Sequence, residues 1–309
     1  MTDREEVLII GTGAMACLLA GRLSAAQIPV VMMGSWQEGL YALKDKGVRV
    51  IEEDGRETSF PVRVTTNPAD CRSARFALVS VKSWQTERAA QQLASCLPVN
   101  GVALTMQNGL GNREKLAAIL GASRIALGGT TATADLLEPG VVRIAGDQVI
   151  SVGIHGQLKP LADMLGAAGF VVETILDGNS LLWGNLIINA AVQPITAILG
   201  ISYGELLTRL AARNLLVAAA REAASVAVAK GIHLPFPDPV VATEAIARRS
   251  AANRSSMLQD ALRNMMTEVD FINGAIVQAG EQTGITTPIN RTLWLFVSAL
   301  RGNFPIRST

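Results

Sequence analysis

Near the start of the chain, Gly11-Thr12-Gly13-Ala14-Met15-Ala16 follows the spacing G-x-G-x-x-A. Small residues so placed let a main chain wrap a diphosphate. Gly11 permits a tight turn, Gly13 lets the backbone approach the pyrophosphate, and Ala16 is small enough for a helix to lie close on a strand. The free N–H groups at the start of that helix then face the anion. The chemistry implied is binding of a dinucleotide. About twenty residues further on, NAD enzymes place an acid against the ribose 2′-hydroxyl. There this chain reads Met33-Gly34-Ser35. No carboxylate repels a 2′-phosphate and Ser35 is compatible with one, so NADP (NADPH) is expected over NAD.

A second polar set lies in apolar surroundings. From Leu181 to Ile201 no residue is charged, and the stretch is long enough to span a bilayer. Asn185, Asn189 and Gln193 interrupt it at intervals of four, which puts them near one helical face. A buried helix with a functional polar stripe is expected there rather than a membrane span. Neutral amides and hydroxyls of this kind hold a carboxylate without bringing an opposing charge.

The composition excludes other chemistries. His155 and His233 are far apart, and Cys17, Cys71 and Cys96 show no CxxC spacing, so neither a metal site nor a disulfide framework is expected. With 27 basic against 26 acidic residues, nothing draws nucleic acid or anionic lipid. The expected partner is a small molecule, with no nucleic acid and no membrane, and homodimer assembly is left open. Met1 to Glu6 and the short apolar run after them give no export signal. A reducing, cytoplasmic setting fits the cysteines.

The elements that carry these groups follow from periodicity. At 309 residues the chain exceeds one typical domain. Apolar, β-branched runs at 7–10, 29–33, 76–81 and 102–106 alternate with helical patterns at 14–26 and 87–97, the rhythm of a parallel sheet. Residues 48–53 and 57–64 flank Asp54-Gly55 and read as an inserted hairpin. Strands at 141–144 and 149–153 finish this part. Alanine- and leucine-rich helices at 180–199, 211–230, 255–279 and 288–300 follow. Gly178-Asn179, the prolines Pro235, Pro237 and Pro239, and Thr287-Pro288 separate them. The expected fold is α/β: an N-terminal Rossmann-type parallel-sheet domain over 1–177 and an all-helical C-terminal domain over 178–309. Trp183 and Trp294 read as core residues.

Further strings add to this frame: Val81-Lys82-Ser83-Trp84-Gln85, Gln107-Asn108-Gly109, Leu182-Trp183, Gln193-Pro194-Ile195-Thr196-Ala197, Ser255-Ser256-Met257-Leu258-Gln259-Asp260 and Thr267-Glu268-Val269-Asp270-Phe271-Ile272-Asn273-Gly274. In order and spacing they resemble the ketopantoate reductase (2-dehydropantoate 2-reductase) family over nearly the whole chain. The resemblance implies an oxidoreductase acting on a CH–OH group in pantothenate biosynthesis. It would reduce ketopantoate or a related branched α-keto acid to the 2-hydroxy acid with NADPH, in a cleft between the domains. It further implies that Lys82, Gln85, Asn108 and Ala134 join the Gly11 to Ala16 turn and Ser35 at the cofactor. Asn108, Asn189, Gln193, Asn253, Ser255 and Ser256 fall on the substrate side. Glu268 matches an acid that reaches toward the cofactor ribose and shares in catalysis. Read from the residues alone, Lys82 has the alternative of a solvated strand-end lysine. Ser255 and Ser256 equally cap a helix whose exposed face carries Glu268.

One position departs from the family. Where the resemblance implies a lysine that protonates the substrate oxygen, two residues after Trp183, this chain has Asn185. An amide donates a hydrogen bond but no proton, so losing the acid costs about 10²- to 10⁴-fold in rate unless another group replaces it. Either the residue is a deliberate change that traps a complex, or water, Glu268 or Lys82 serves as the acid. Gln193 and Tyr203, which also stand at or near substrate positions, point alternatively to a changed substrate. A cofactor-binding sensor without turnover, and an opine-type or β-hydroxyacid dehydrogenase, are the other readings.

Overall fold

The computed structural model describes residues 5–300; the outer ends of the two expected domains, 1–4 and 301–309, lie outside them. Two compact units form. One joins the residues up to Gln107 with Gly111–Gly178, and the other joins Asn108–Leu110 with the residues from Asn179 on. Asn108–Leu110, which the sequence reading leaves in the first domain, thus belong to the second unit.

The first unit runs β1 (Val7–Ile10), α1 (Ala14–Ala25), β2 (Val30–Met33), α2 (Gln37–Lys46), β3 (Val48–Ile51), β4 (Glu57–Phe60), β5 (Arg63–Thr65), β6 (Phe76–Val79), α3 (Thr86–Cys96), β7 (Val102–Thr105), α4 (Asn112–Leu120), β8 (Ile125–Thr130), β9 (Thr133–Glu138), β10 (Val141–Ala145), β11 (Val149–Gly153), α5 (Lys159–Ala167) and β12 (Val171–Ile175). Eight strands make one sheet in the order β12-β11-β8-β7-β6-β1-β2-β5. Every pairing is parallel except β11 on β8. β1, β2, β6 and β7 are buried at every residue, which is why they are nearly unbroken apolar runs. β1 pairs with β2 on one side and β6 on the other. The strand order therefore reverses at β1, and such a switch point is where sheets of this kind bind ligands, beyond the carboxyl ends of the strands.

A smaller sheet, β4-β3-β10-β9, covers the other side of α1. That helix consequently buries residues nearly all round: Ala16, Cys17, Leu18, Leu19, Ala20, Gly21 and Leu23. At Gly21 a Cβ would come within 2.5 Å of Val50 Cγ2 on β3, so the sheet can approach only because no side chain stands there.

The second unit is helical: α6 (Gly178–Leu199, its first residue closing the first unit), α7 (Tyr203–Thr208), α8 (Leu210–Ala229), α9 (Pro239–Arg249), α10 (Ser256–Leu262), α11 (Asn273–Thr283) and α12 (Pro288–Ala299). α6 is its core helix. In its 18-residue apolar stretch 67% of the residues are buried, and Trp183 is buried within the same core.

Several elements differ from the sequence reading. The strand expected at 57–64 breaks at Pro61, which offers no ladder N–H; β4 stays in the small sheet while β5 pairs with β2. The helix expected at 255–279 is two helices. Asn264 takes φ +55, and Met265 N–H returns to Asp260 O at 2.8 Å, a left-handed helix ending. Pro239 does not merely separate helices: it begins α9, with Asp238 capping it through Val240 and Val241 N–H. β8, β9, β12, α2, α4, α5 and α7 were not anticipated. A Gly21→Leu substitution is expected to destabilise the protein by about 1–3 kcal/mol through overpacking, read as a lowered urea midpoint with an unchanged slope.

Candidate active site

At the end of β1 the backbone is crowded on one side and open on the other. Gly11 has φ +129, and a Cβ there would lie 2.8 Å from Ser80 O, just beyond β6. Its N–H donates to Met33 O at 2.8 Å, and Ser80 N–H donates to Ile10 O at 2.9 Å. At Gly34 a Cβ would meet Thr12 Cγ2 at 2.8 Å. The ends of β1, β2 and β6 are thus drawn together around Thr12. At Gly13, by contrast, nothing lies within 4 Å of a Cβ. Gly13 caps α1 without a side-chain hydrogen bond, and no acid occupies the first turn, Ala14 and Met15 included. Open space beside uncapped helix N–H groups fits a pyrophosphate. Ser35 follows β2 as an exposed residue, and no carboxylate stands beside it until Glu38 opens α2.

The loop after β6 is braced from beneath. Gln107 Nε2 donates to Val81 O at 2.8 Å and to Thr86 Oγ1 at 2.9 Å, while Thr105 Oγ1 donates to Gln107 Oε1 at 2.9 Å. Asn112 joins by 2.8 Å to Thr86 Oγ1 and 3.1 Å to Ser83 Oγ. Ser83, Thr86, Thr105 and Asn112 are buried, where an unmade hydrogen bond is costly. Lys82 N–H donates to Gln85 Oε1 at 3.3 Å, so Gln85 shapes the turn that presents Lys82. Sequence reasoning missed Thr86, Gln107 and Asn112 in this role. The only signal was an unusual density of polar residues beside buried strands. Ala134 stands half-buried on β9 in the smaller sheet.

In the second unit, two of the expected site residues on α6 each find a partner that was also expected at the site. Asn189 Nδ2 donates to Asn108 Oδ1 at 3.1 Å. Asn108 is held there because Gly109, at φ +85, lies on the Phe271 carbonyl, where a Cβ would come within 2.5 Å of the oxygen. One turn on, Gln193 Oε1 accepts from Ser256 Oγ at 3.3 Å, which leaves its amide N–H groups for another acceptor. Asn185, one turn before Asn189, is half-buried. Asn253 O accepts from Tyr203 N–H at 3.1 Å. Burial pushes the Tyr203 phenol up to about 12, so it stays neutral near pH 7.

Two residues sit differently from their sequence readings. Glu268 is not on an exposed helical face: it lies in the break between α10 and α11 and is 5% exposed. Ser255, expected on the substrate side, is 1% exposed. Its hydroxyl accepts from Leu258 N–H at 3.0 Å as the cap of α10 and lies 2.8 Å from Thr196 Oγ1. Trp294 is half-buried and donates from Nε1 to Asp270 at 2.6 Å. Among the described residues no three His, Cys, Asp or Glu side chains gather as metal ligands.

A Rossmann-type unit with a glycine-rich turn opening its first helix, followed by a helical unit with neutral amides, hydroxyls and the buried carboxyl of Glu268, has the build of a nicotinamide-dependent reductase. The comparisons agree. Residues 7–157 match the family Ketopantoate reductase PanE/ApbA, and residues 178–301 match its C-terminal domain. The chain is 36% identical to the 2-dehydropantoate 2-reductase of Archaeoglobus fulgidus, covering 94% of this chain and 95% of that one. It is 30% identical to that of Halobacterium salinarum, covering 93% and 96%. A PanE/ApbA family ketopantoate reductase from Ralstonia eutropha superposes with a TM-score of 0.88 at 29% identity, over 97% of this chain and 99% of that one. D-mandelate dehydrogenase in complex with NADH and anilino(oxo)acetate shares the fold, with a TM-score of 0.89 at 23% identity over 97% and 99%. The chain belongs to the ketopantoate reductase PanE/ApbA family. Ser255→Ala is expected to lower stability by about 0.5–2 kcal/mol through loss of the cap, measured by thermal melting.

Proposed function

We propose that this chain reduces ketopantoate, or a closely related branched 2-oxo acid, to the 2-hydroxy acid with NADPH, as a cytoplasmic step of pantothenate biosynthesis. The observation that carries the reading is the likeness to 2-dehydropantoate 2-reductases across nearly the whole of both chains. The first unit acts as the cofactor domain and the helical unit as the substrate domain. Bound NADPH supplies the hydride.

The remaining work falls to residues of this chain. The Gly11 to Ala16 turn takes the pyrophosphate, and Ser35, Lys82, Gln85, Asn108 and Ala134 contact the rest of the cofactor, with Glu268 toward its ribose. Asn189, Gln193, Asn253 and Ser256 hold the substrate by hydrogen bonds from neutral groups. A 2-oxo acid already carries a carboxylate, and a second negative charge grows on its ketone oxygen during reduction; donors aimed at that oxygen lower the barrier. Asn185 is the donor we assign to it. Ser255 serves the site indirectly, by capping the helix that presents Ser256. Since Asn185 cannot release a proton, the proton that completes the alcohol comes from water, Glu268 or Lys82.

Steady-state NADPH oxidation with ketopantoate tests this. The unsubstituted protein is expected to turn over slowly, and Asn185→Lys to raise kcat about 100-fold by restoring an acid. No ketopantoate-dependent oxidation in either form would overturn the substrate assignment. Ser35→Asp is expected to reverse the coenzyme preference toward NADH by placing a charge against the 2′-phosphate, read as the ratio of kcat/KM for the two coenzymes.

A further inference from the structure

Pro194 lies inside α6. A proline there has no N–H to give the carbonyl four residues back, and its ring crowds that carbonyl. The carbonyl is that of Ala190, and it is not left unpaired: Asn273 Nδ2, at the first residue of α11, donates to it at 3.0 Å. The same nitrogen donates to Asn290 Oδ1 at 2.9 Å. Asn290 Nδ2 in turn donates to Glu222 Oε1 at 2.8 Å and to Ala219 O at 3.2 Å. The Glu222 carboxylate also accepts the N–H groups of Ile289 and Asn290 at 3.0 and 2.7 Å. Asn273 and Asn290 are fully buried, and Asn273 Oδ1 has no partner among the described residues. Both bonds of that side chain are therefore made by its N–H groups, which fixes which way the amide faces.

This chain of bonds ties α8, α11 and α12 to the carbonyl that α6 cannot satisfy itself. Ala190 directly follows Asn189, and Pro194 directly follows Gln193. The brace thus acts on the turn that presents both groups. We propose that Asn273 is a positioning residue for the substrate face of α6. It replaces the hydrogen bond that Pro194 removes and so fixes where Asn189 and Gln193 sit, without touching substrate. The inference rests on the reading of those two residues as substrate groups.

The test compares the full chain with Asn273→Leu, Pro194→Ala and the double variant, by two readouts. One is kcat/KM for ketopantoate with separate measurement of NADPH binding. The other is amide hydrogen exchange over residues 190–197, which needs no turnover. Asn273→Leu is expected to lower kcat/KM roughly 10- to 100-fold through misplacement of substrate groups, leaving NADPH affinity within about twofold. Exchange over 190–197 should quicken at least about tenfold as that turn opens locally. With Pro194→Ala, an N–H at position 194 reaches Ala190 O, and adding Asn273→Leu should change either readout less than about threefold, the mark of coupling between the two sites. Equal losses in both backgrounds, or exchange unmoved by Asn273→Leu, overturn the proposal. If Asn273→Leu folds only together with Pro194→Ala, the dependence is shown directly; failure to fold in both backgrounds overturns it. Coupled exchange with no ketopantoate turnover in any form would support the brace while refuting the substrate reading.

Discussion

The backbone at the carboxyl end of β1 has no room for a side chain, and the cofactor half of the molecule is arranged around that constraint. Ser80 O closes on Gly11 from β6, and Thr12 fills the space beside Gly34 after β2. Three strand ends therefore converge, and the chain leaves β1 in only one direction, into α1. A twelve-residue helix has little stability of its own. α1 is instead held by burial between two sheets, so its uncapped N–H groups point one way before any ligand arrives. An anion at this turn would meet donors already set by packing at a distance from it.

The helical unit solves a different problem. Its polar groups stand beside irregularities: Gly109 in a loop flattened on Phe271 O, Asn264 ending α10 in the left-handed region, and Pro194 inside α6. Each irregularity frees a backbone group or brings a loop close, and each is matched by a specific partner. By the proposed reading the cofactor side is built mainly of backbone, whereas the substrate groups Asn189 and Gln193 are side chains paired with Asn108 and Ser256 on other elements.

Much of this was legible in the sequence for definite reasons. β1, β2, β6 and β7 announce themselves because burial on both faces demands unbroken apolar runs, and Gly11 to Ala16 stands out because close approach excludes side chains. The stripe Asn185, Asn189, Gln193 reads at once, since charge-free surroundings leave amides conspicuous. The break that buries Glu268 was hidden, because the left-handed ending at Asn264 interrupts a segment whose apolar spacing looks continuous. β8 was hidden by Gly128 and Gly129, which weaken a strand pattern; at Gly128 a Cβ would lie 3.0 Å from Ser151 O. The partnership of Ala190 and Asn273 spans 83 residues, and no local pattern reports which carbonyl a distant amide will satisfy.

Asn185 stands one turn before Asn189 on α6. A lysine there would be the only charge between Leu181 and Ile201, on a helix that forms the core of its unit. Burying an ammonium costs several kcal/mol unless it is paired, whereas an amide satisfied by a hydrogen bond costs far less. Hydrogen bonding to a developing alkoxide and protonating it are separable contributions. A positioned donor is worth about 10²- to 10³-fold, and a general acid typically 10²- to 10⁴-fold. In the proposed reaction asparagine would keep the first and give up the second. Asn185 would therefore give up rate in exchange for a helix free of charge at a half-buried position.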